Sequence, residues 1–188
     1  MRTKNIVIVG PSGAGKTFLV HNQLMPLFRK KHVRFRILDV FLILKKRFGR
    51  DTKESSRNLY GPIYRFTDKM HRAAYREVLK KAEKRFNGVS IYEFSTSRSS
   101  KEKRTQLIKT LASQIPPLLL VYVHAPFSVR KENNTKRRSH FIEGLEGLFP
   151  DEHVYIRNLA KSLNVTFIFI NNPQKRRSLT KQLNIITS

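Results

Sequence analysis

The residues best suited to chemistry form one short run near the start of the chain. It reads Gly10-Pro11-Ser12-Gly13-Ala14-Gly15-Lys16-Thr17. This run fits the pattern Gly-x-x-x-x-Gly-Lys-Ser/Thr at every fixed position. Glycines let a backbone wrap around a phosphate, so that successive N–H groups point inward at the N-terminus of a following helix. The run therefore predicts a loop that holds the phosphates of a nucleoside triphosphate, ATP or GTP.

Two side chains at the end of this run carry the expected chemistry. Lys16 is expected to reach the β- and γ-phosphates, and the hydroxyl of Thr17 is expected to be a ligand of Mg²⁺. The context also fits, because an apolar strand (Ile6–Val9) precedes the run and a helical pattern follows it. The alternative is a glycine-rich turn that binds nothing, and the lysine, the threonine and both flanks argue against it.

Two carboxylates stand at the points where predicted strands end. Glu93 follows Val89–Tyr92, at a strand end where proteins with a phosphate loop of this pattern (P-loop proteins) place an acid that holds Mg²⁺ or its water shell. Asp39 follows Phe35–Leu38, and its carboxylate could accept the proton of an attacking hydroxyl. Each has a purely structural alternative. Glu93 could be a solvated residue at a strand end, and Asp39 could be a counter-ion for the basic residues around it.

Apolar runs alternate with helical patterns along the chain, and these elements must position the chemical groups. Five runs are almost continuously apolar, as in buried strands: Ile6–Val9, Phe35–Leu38, Val89–Tyr92, Leu118–Val123 and Val165–Ile170. Between them, apolar spacing predicts helices around residues 20–28, 70–82, 107–115 and 155–163, with Pro26 kinking or ending the first. This alternation predicts a parallel sheet covered by helices on both faces.

Two segments do not fit the alternation. Residues 45–67 and 126–152 are polar, basic and weakly periodic. Insertions of that length in a compact α/β domain are usually substrate flaps or lids. No repeat, linker or low-complexity tract divides the chain, so we predict a single domain over residues 1–188, with a flap and a lid at these two places. A last basic helix is expected over 174–188.

The composition is strongly basic. The chain has 38 Lys and Arg against 13 Asp and Glu, for a formal net charge of +25. Such an excess repels itself in a compact state and favours a polyanionic partner: nucleic acid (RNA or DNA) first, an acidic membrane surface second. A generally basic source proteome is the alternative.

Cysteine is absent, which excludes thiol chemistry. Apolar runs are too short to span a bilayer, so we expect an intracellular, cytoplasmic protein.

The layout resembles the nucleotide-kinase-like branch of P-loop proteins. That resemblance implies a three-layer α/β fold with five parallel strands in the order 2-3-1-4-5, a flap after strand 2 and a lid after strand 4. Within the branch, the chain is most similar to the kinase domain of bacteriophage-type polynucleotide 5′-kinases. That family has an Asp just after strand 2, which Asp39 matches. The resemblance implies that Asp39 is the general base toward a 5′-hydroxyl.

The same resemblance gives expectations for the lid and for the end of strand 5. Arg137 matches the second lid arginine of the family, whereas Asn133 stands at the position of the first. Arg130, a turn earlier, is expected to replace it. Asn172 matches the loop that such kinases place beside the adenine base. Where the family has an Arg shortly after the strand-2 Asp, this sequence has Leu42.

These features predict an ATP- and Mg²⁺-dependent kinase that transfers the γ-phosphate to a hydroxyl, foremost an RNA or DNA 5′-end. A nucleoside, nucleotide or other small-molecule kinase is the second hypothesis. The third is a nucleotide-regulated nucleic-acid-binding protein without phosphotransfer. Acceptor-dependent ATP consumption separates the kinases from the binding protein. A steep salt dependence of RNA binding separates the two kinases.

Overall fold

The described part of the chain forms a five-stranded sheet with helices on both faces. The computed structural model describes residues 4–49, 67–94, 101–114, 118–136, 151–171 and 186. The strands are β1 (Lys4–Val9), β2 (Phe35–Asp39), β3 (Val89–Glu93), β4 (Leu118–His124) and β5 (Thr166–Asn171). Neighbouring strands pair in parallel, in the order β2-β3-β1-β4-β5. The predicted sheet, its strand order and its covering helices are confirmed.

Helices cover both faces of the sheet, and successive residues of each strand point alternately into the two apolar layers. On the central strand β1, Ile6 and Ile8 lie in one apolar layer, and Val7 and Val9 lie in the other. All four side chains are almost completely inaccessible to solvent. A strand covered on both faces needs a nearly continuous apolar run, which is why the five strands can be predicted from the sequence.

Helices connect the strands and form the two outer layers. The chain leaves β1 through a loop over residues 10–15 and enters α1 (Lys16–Leu19), a π-helical turn (Val20–Leu24) and α2 (Met25–Lys30). The other helices are α3 (Val40–Phe48), α4 (Asp68–Glu83), α5 (Lys101–Gln114), α6 (Phe127–Lys136) and α7 (Glu152–Ser162). No helix in the described ranges has the length and hydropathy needed to cross a membrane.

Pro26 does not end the first helix. It lies at the start of α2, where the missing N–H of proline is least costly. The turn directly before it is π-helical, and the N–H of Met25 donates to the carbonyl of Val20, five residues earlier. The proline predicts an interruption of α-helical hydrogen bonding, and this interruption occurs one turn before it. The helix itself continues to Lys30.

The sequence prediction misses two helices, α3 and α6. α3 follows β2 without an intervening loop, because Asp39 is both the last residue of the strand and the N-cap of the helix. Residues 45–48, which were predicted to begin the flap, belong to α3. α6 occupies the first part of the predicted lid. Parts of three predicted segments lie outside the described residues: residues 50–66 of the flap, residues 137–150 of the lid and most of the predicted last helix.

Candidate active site

The phosphate loop lies between β1 and α1, at the carboxyl edge of the sheet. Gly10 begins it with a φ of +152°. A Cβ added there would lie 2.2 Å from the carbonyl oxygen of Val123 on β4, a distance that no side chain allows. Gly15 ends the loop as the N-cap of α1 with a φ of 93°, in the left-handed region. The two fixed glycines of the pattern are therefore required by the backbone itself.

Lys16 begins α1 with its side chain folded back over the loop. Its Nζ donates hydrogen bonds to the carbonyl oxygens of Gly10 and Pro11, both at 2.9 Å. The residue is only 7% exposed. Phosphate oxygens carry negative charge, so they would bind this ammonium more strongly than the neutral carbonyl oxygens do. The loop thus holds a buried cation where the phosphates of a nucleotide would lie.

Thr17 and Glu93 meet at the ends of α1 and β3. The Thr17 hydroxyl donates to Oε1 of Glu93 at 2.8 Å. Glu93 is 6% exposed, and its other oxygen, Oε2, has no hydrogen-bond partner among the described residues. A buried carboxylate oxygen without a partner is costly. A cation, or the water shell of a cation, would satisfy it.

The chemistry of Thr17 and Glu93 fits Mg²⁺. This ion prefers oxygen ligands and is usually held by one or two protein oxygens, with waters and substrate phosphates completing its octahedron. The hydroxyl and the carboxylate are both hard oxygen donors. The described residues contain no cluster of three or more His, Cys, Asp or Glu that could enclose a metal. Phosphate oxygens and waters would therefore complete the coordination.

Asp39 lies beside Glu93, in register with it across β2 and β3. Burial, reinforced by the negative charge of Glu93, raises the pKa of Asp39 from 3.8 to about 6. Hydrogen bonds from the N–H groups of Leu42 and Phe41 and the charge of Lys16 act in the opposite direction. A carboxylate with this pKa is mostly ionised at neutral pH, yet it is a better proton acceptor than an ordinary Asp.

The pKa of Asp39 makes the free energy of unfolding depend on pH. The folded protein binds the proton more tightly than the unfolded chain, so stability falls as pH rises from 3.8 to about 6. Asn cannot ionise and is an equally good helix cap. We expect Asp39→Asn to be more stable, relative to wild type, at pH 7 than at pH 4. Urea unfolding across this range measures the difference, and a constant difference would contradict the raised pKa.

A cavity of about 430 Å³ opens beside Asp39, between β2, α3 and α4. Among its charged lining residues, Glu77 accepts a hydrogen bond from Lys81 at 2.7 Å and pairs with Arg47 at 3.7 Å. The rest of the lining consists of Ile37, Leu38, Leu42, Ile43 and Lys46. Cavities of this size hold small ligands. The candidate base therefore adjoins a space lined by both apolar and charged residues.

α6 brings part of the predicted lid onto the phosphate loop. Nδ2 of Asn133 donates to the carbonyl oxygen of Gly13 at 2.9 Å, a contact that the sequence did not predict. Arg130 lies on the same helix, where its Nε donates to the carbonyl of Ala125 at 2.9 Å. Its guanidinium lies 5.9 Å from the centre of the Phe127 ring. The predicted role of Arg130 at the transferring phosphoryl group stays a prediction. Arg137 and Asn172 lie outside the described residues.

Comparison with known proteins identifies the fold. No protein-family model and no curated protein matches the chain. Among solved structures, a putative kinase from Chloroflexus aurantiacus is similar with a TM-score of 0.62 and 11% identity, covering 100% of this chain and 98% of that one. The APS kinase of Mycobacterium tuberculosis, solved with AMPPNP and APS, is similar with a TM-score of 0.54 and 16% identity over 99% and 96%.

The shikimate kinase of Acinetobacter baumannii, solved with shikimate, is a third similar structure. Its TM-score is 0.53 at 16% identity, over 97% of this chain and 90% of that one. All three likenesses extend over nearly the whole length of both chains, and their TM-scores establish a common architecture. At identities of 11–16%, the likeness concerns the fold alone. In this chain, the phosphate loop lies between the central strand β1 and the first helix α1. The chain therefore has a nucleotide-kinase-like P-loop fold.

Proposed function

We propose that this protein is an ATP- and Mg²⁺-dependent kinase that transfers the γ-phosphoryl group to a hydroxyl. One observation carries the proposal. A single edge of the sheet brings together Lys16 on the phosphate loop, the Thr17–Glu93 pair, and Asp39 beside Glu93. Phosphoryl transfer needs a phosphate ligand, a metal site and a group that accepts the proton of the nucleophile. A protein that only binds nucleotide has no need of the last of these.

In the proposed mechanism, Lys16 exchanges the carbonyls of Gly10 and Pro11 for β- and γ-phosphate oxygens. Thr17 and Glu93 would hold Mg²⁺, which would neutralise charge on the phosphates when bound. Asp39 accepts the proton of the acceptor hydroxyl as its oxygen bonds to the γ-phosphorus. The bond from the γ-phosphorus to the bridging oxygen breaks, and ADP leaves. GTP could serve in the same way, with GDP as the product.

The acceptor that we propose is the 5′-hydroxyl of RNA or DNA. The net charge of +25 supports a polyanionic acceptor, and Asp39 matches the general base of polynucleotide 5′-kinases. A small molecule is the second candidate, favoured by the cavity of about 430 Å³ beside Asp39. The APS and shikimate kinases with a similar fold are small-molecule kinases by name.

One experiment separates these acceptors. The protein is incubated with γ-labelled ATP and Mg²⁺ and, in parallel, with 5′-hydroxyl RNA, 5′-hydroxyl DNA, nucleosides, nucleotides and small hydroxy acids. Label on a polynucleotide supports the proposal in full. Label only on a small molecule keeps the kinase and replaces its acceptor. Nucleotide binding without any transfer would leave the third hypothesis, a nucleotide-regulated binding protein.

Glu93→Gln is expected to raise the Mg²⁺ concentration for half-maximal activity by about tenfold or more, because an amide has one oxygen and no charge. It should also shift the acid limb of the pH–rate profile to lower pH, because the charge of Glu93 raises the pKa of Asp39 in the wild type. Titrating activity with Mg²⁺ at several pH values measures both effects. The matched control is Glu83→Gln, at an exposed position of α4. An unchanged Mg²⁺ requirement would limit Glu93 to orienting Thr17.

Arg137→Ala is expected to lower kcat far more than it raises the KM for ATP, because the lid arginine is proposed to contact the phosphoryl group chiefly in the transition state. Arg138→Ala is its neighbouring control and should act mainly on a nucleic-acid acceptor and its salt dependence. Steady-state kinetics with both substrates varied distinguishes the two. Equal, small effects would mean that this part of the lid is only a solvated basic loop.

A further inference from the structure

The exposed face of α4 carries a row of four cations. Lys69, Arg72, Arg76 and Lys80 are all exposed and recur every three or four residues, so they lie along one face of the helix. Residues Ala74, Val78 and Ala82 occupy the opposite face and are buried in the core. At 1.5 Å per residue, the row extends about 16 Å along the helix. The packing of α4 against the core thus fixes the orientation of the row, which faces solvent.

The four cations of this row are not engaged in ion pairs within the described residues. The ion pairs of α4 lie on its flank, where Glu77 binds Lys81 and Arg47. Carboxylates stand at both ends of the row in the sequence, Asp68 directly before Lys69 and Glu83, which is exposed, after Lys80. Arg72, Arg76 and Lys80 are successive i,i+4 neighbours of like charge, an arrangement that destabilises a helix. A bound polyanion would relieve this repulsion.

Exposed cations are not spread evenly over the four helices that cover one face of the sheet, α3, α4, α5 and α7. On α5, the exposed positions with described side chains are Gln106, Lys109, Ser113 and Gln114, which include one cation. On α7 they are Val154, Arg157, Asn158, Lys161 and Ser162, which include two. The neighbour of α4 is different, because α3 also exposes Lys45 and Lys46. Among the described side chains of the four helices on this face of the sheet, the exposed cations are therefore most numerous on α3 and α4.

The chemistry of the row fits a phosphate backbone better than a bilayer. A helix that lies on a membrane inserts an apolar face beside its basic face. The apolar face of α4 is buried in the core instead. Arg and Lys side chains alone suffice for phosphates, and guanidinium groups bind them through two parallel hydrogen bonds. We propose that the exposed face of α4 binds the sugar–phosphate backbone of a nucleic acid, at a surface that includes no residue of the candidate active site.

The test measures binding of a labelled single-stranded RNA at several salt concentrations, without ATP or Mg²⁺, so its result is independent of phosphotransfer. The variant replaces Lys69, Arg72, Arg76 and Lys80 by Gln, which has a similar helix propensity. The matched control replaces Arg29, Lys30, Arg157 and Lys161 by Gln. It removes the same two Arg and two Lys, and the same charge, from exposed positions of α2 and α7.

We expect the α4 variant to bind RNA about tenfold more weakly or worse at moderate salt, and its salt slope to become shallower by up to about 3. The control should keep most of the RNA affinity and most of the salt slope. Equal losses would show that net charge alone drives binding, and no loss would exclude this surface. Loss of binding to phosphatidylserine vesicles with RNA binding intact would assign the face to a membrane and overturn the proposal. If the quadruple variant melts early by circular dichroism, Arg72→Gln with Arg76→Gln replaces it.

Discussion

Lys16→Ala is expected to lower the rate of phosphoryl transfer by about three orders of magnitude while leaving the fold intact. The Lys16 ammonium is buried within the phosphate loop, where its charge is poorly screened. In the transition state, this charge would face the negative charge that spreads over the β- and γ-phosphate oxygens. In the alanine variant, those oxygens lack a neighbouring cation, and a water molecule in its place would not supply the positive charge.

Transfer of label from γ-labelled ATP measures the effect, and circular dichroism checks the fold. Lys30→Ala is the matched control, because Lys30 is exposed at the end of α2, away from the loop. The backbone of the loop should change little, since the Lys16 side chain contacts it through hydrogen bonds to the carbonyls of Gly10 and Pro11. A folded Lys16→Ala protein with near-normal turnover would rule out the proposed site.

Asp39→Asn is expected to lower kcat by about 10²- to 10⁴-fold and to leave the affinity for ATP almost unchanged. The carboxylate caps α3 through the N–H groups of Phe41, at 2.7 Å, and Leu42, at 3.3 Å. An amide oxygen can accept the same two hydrogen bonds but cannot take a proton. The variant should therefore keep the local backbone and lose only the base.

Single-turnover rates and equilibrium binding of ATP separate the two effects. Wild type should lose activity as pH falls through about 6, where Asp39 becomes protonated, and the residual activity of the variant should lack this limb. Asp151→Asn is the matched control, since Asp151 is exposed and its side chain makes no capping hydrogen bond to α7. Weakened ATP binding in Asp39→Asn would place Asp39 in the nucleotide site or in the scaffold, and the base elsewhere.

The strands and the phosphate loop could be predicted because their physical requirements are local. A strand buried on both faces must be apolar nearly throughout, and a loop that turns through Gly10 must lack a Cβ there. α3 could not be found in this way, because no Gly or Pro separates it from β2. Its one local signature was Asp39 as an N-cap with Lys45, Lys46 and Arg47 in the last turn.

Contacts between distant segments were harder to predict from the sequence. The hydrogen bond between Thr17 and Glu93 spans 76 residues, but both ends lie at positions that a P-loop fold brings together. The hydrogen bond from Asn133 to Gly13 spans 120 residues, and no pattern around Asn133 marks it. α6 has little apolar periodicity, so its helical nature and its contact with the loop both depend on tertiary packing.

The π-helical turn after the phosphate loop has a consequence for comparing this chain with its relatives. In a regular α-helix, Phe28 would lie about 80° around the axis from Val20, because eight residues turn about 800°. The turn over Val20–Leu24 accommodates about one residue more than an α-helical turn, which removes about 100° of that rotation. Phe28 and Val20 are consequently both buried in the same layer. A relative with a regular first helix is expected to be one residue shorter here, so an alignment should open a one-residue gap between positions 20 and 24.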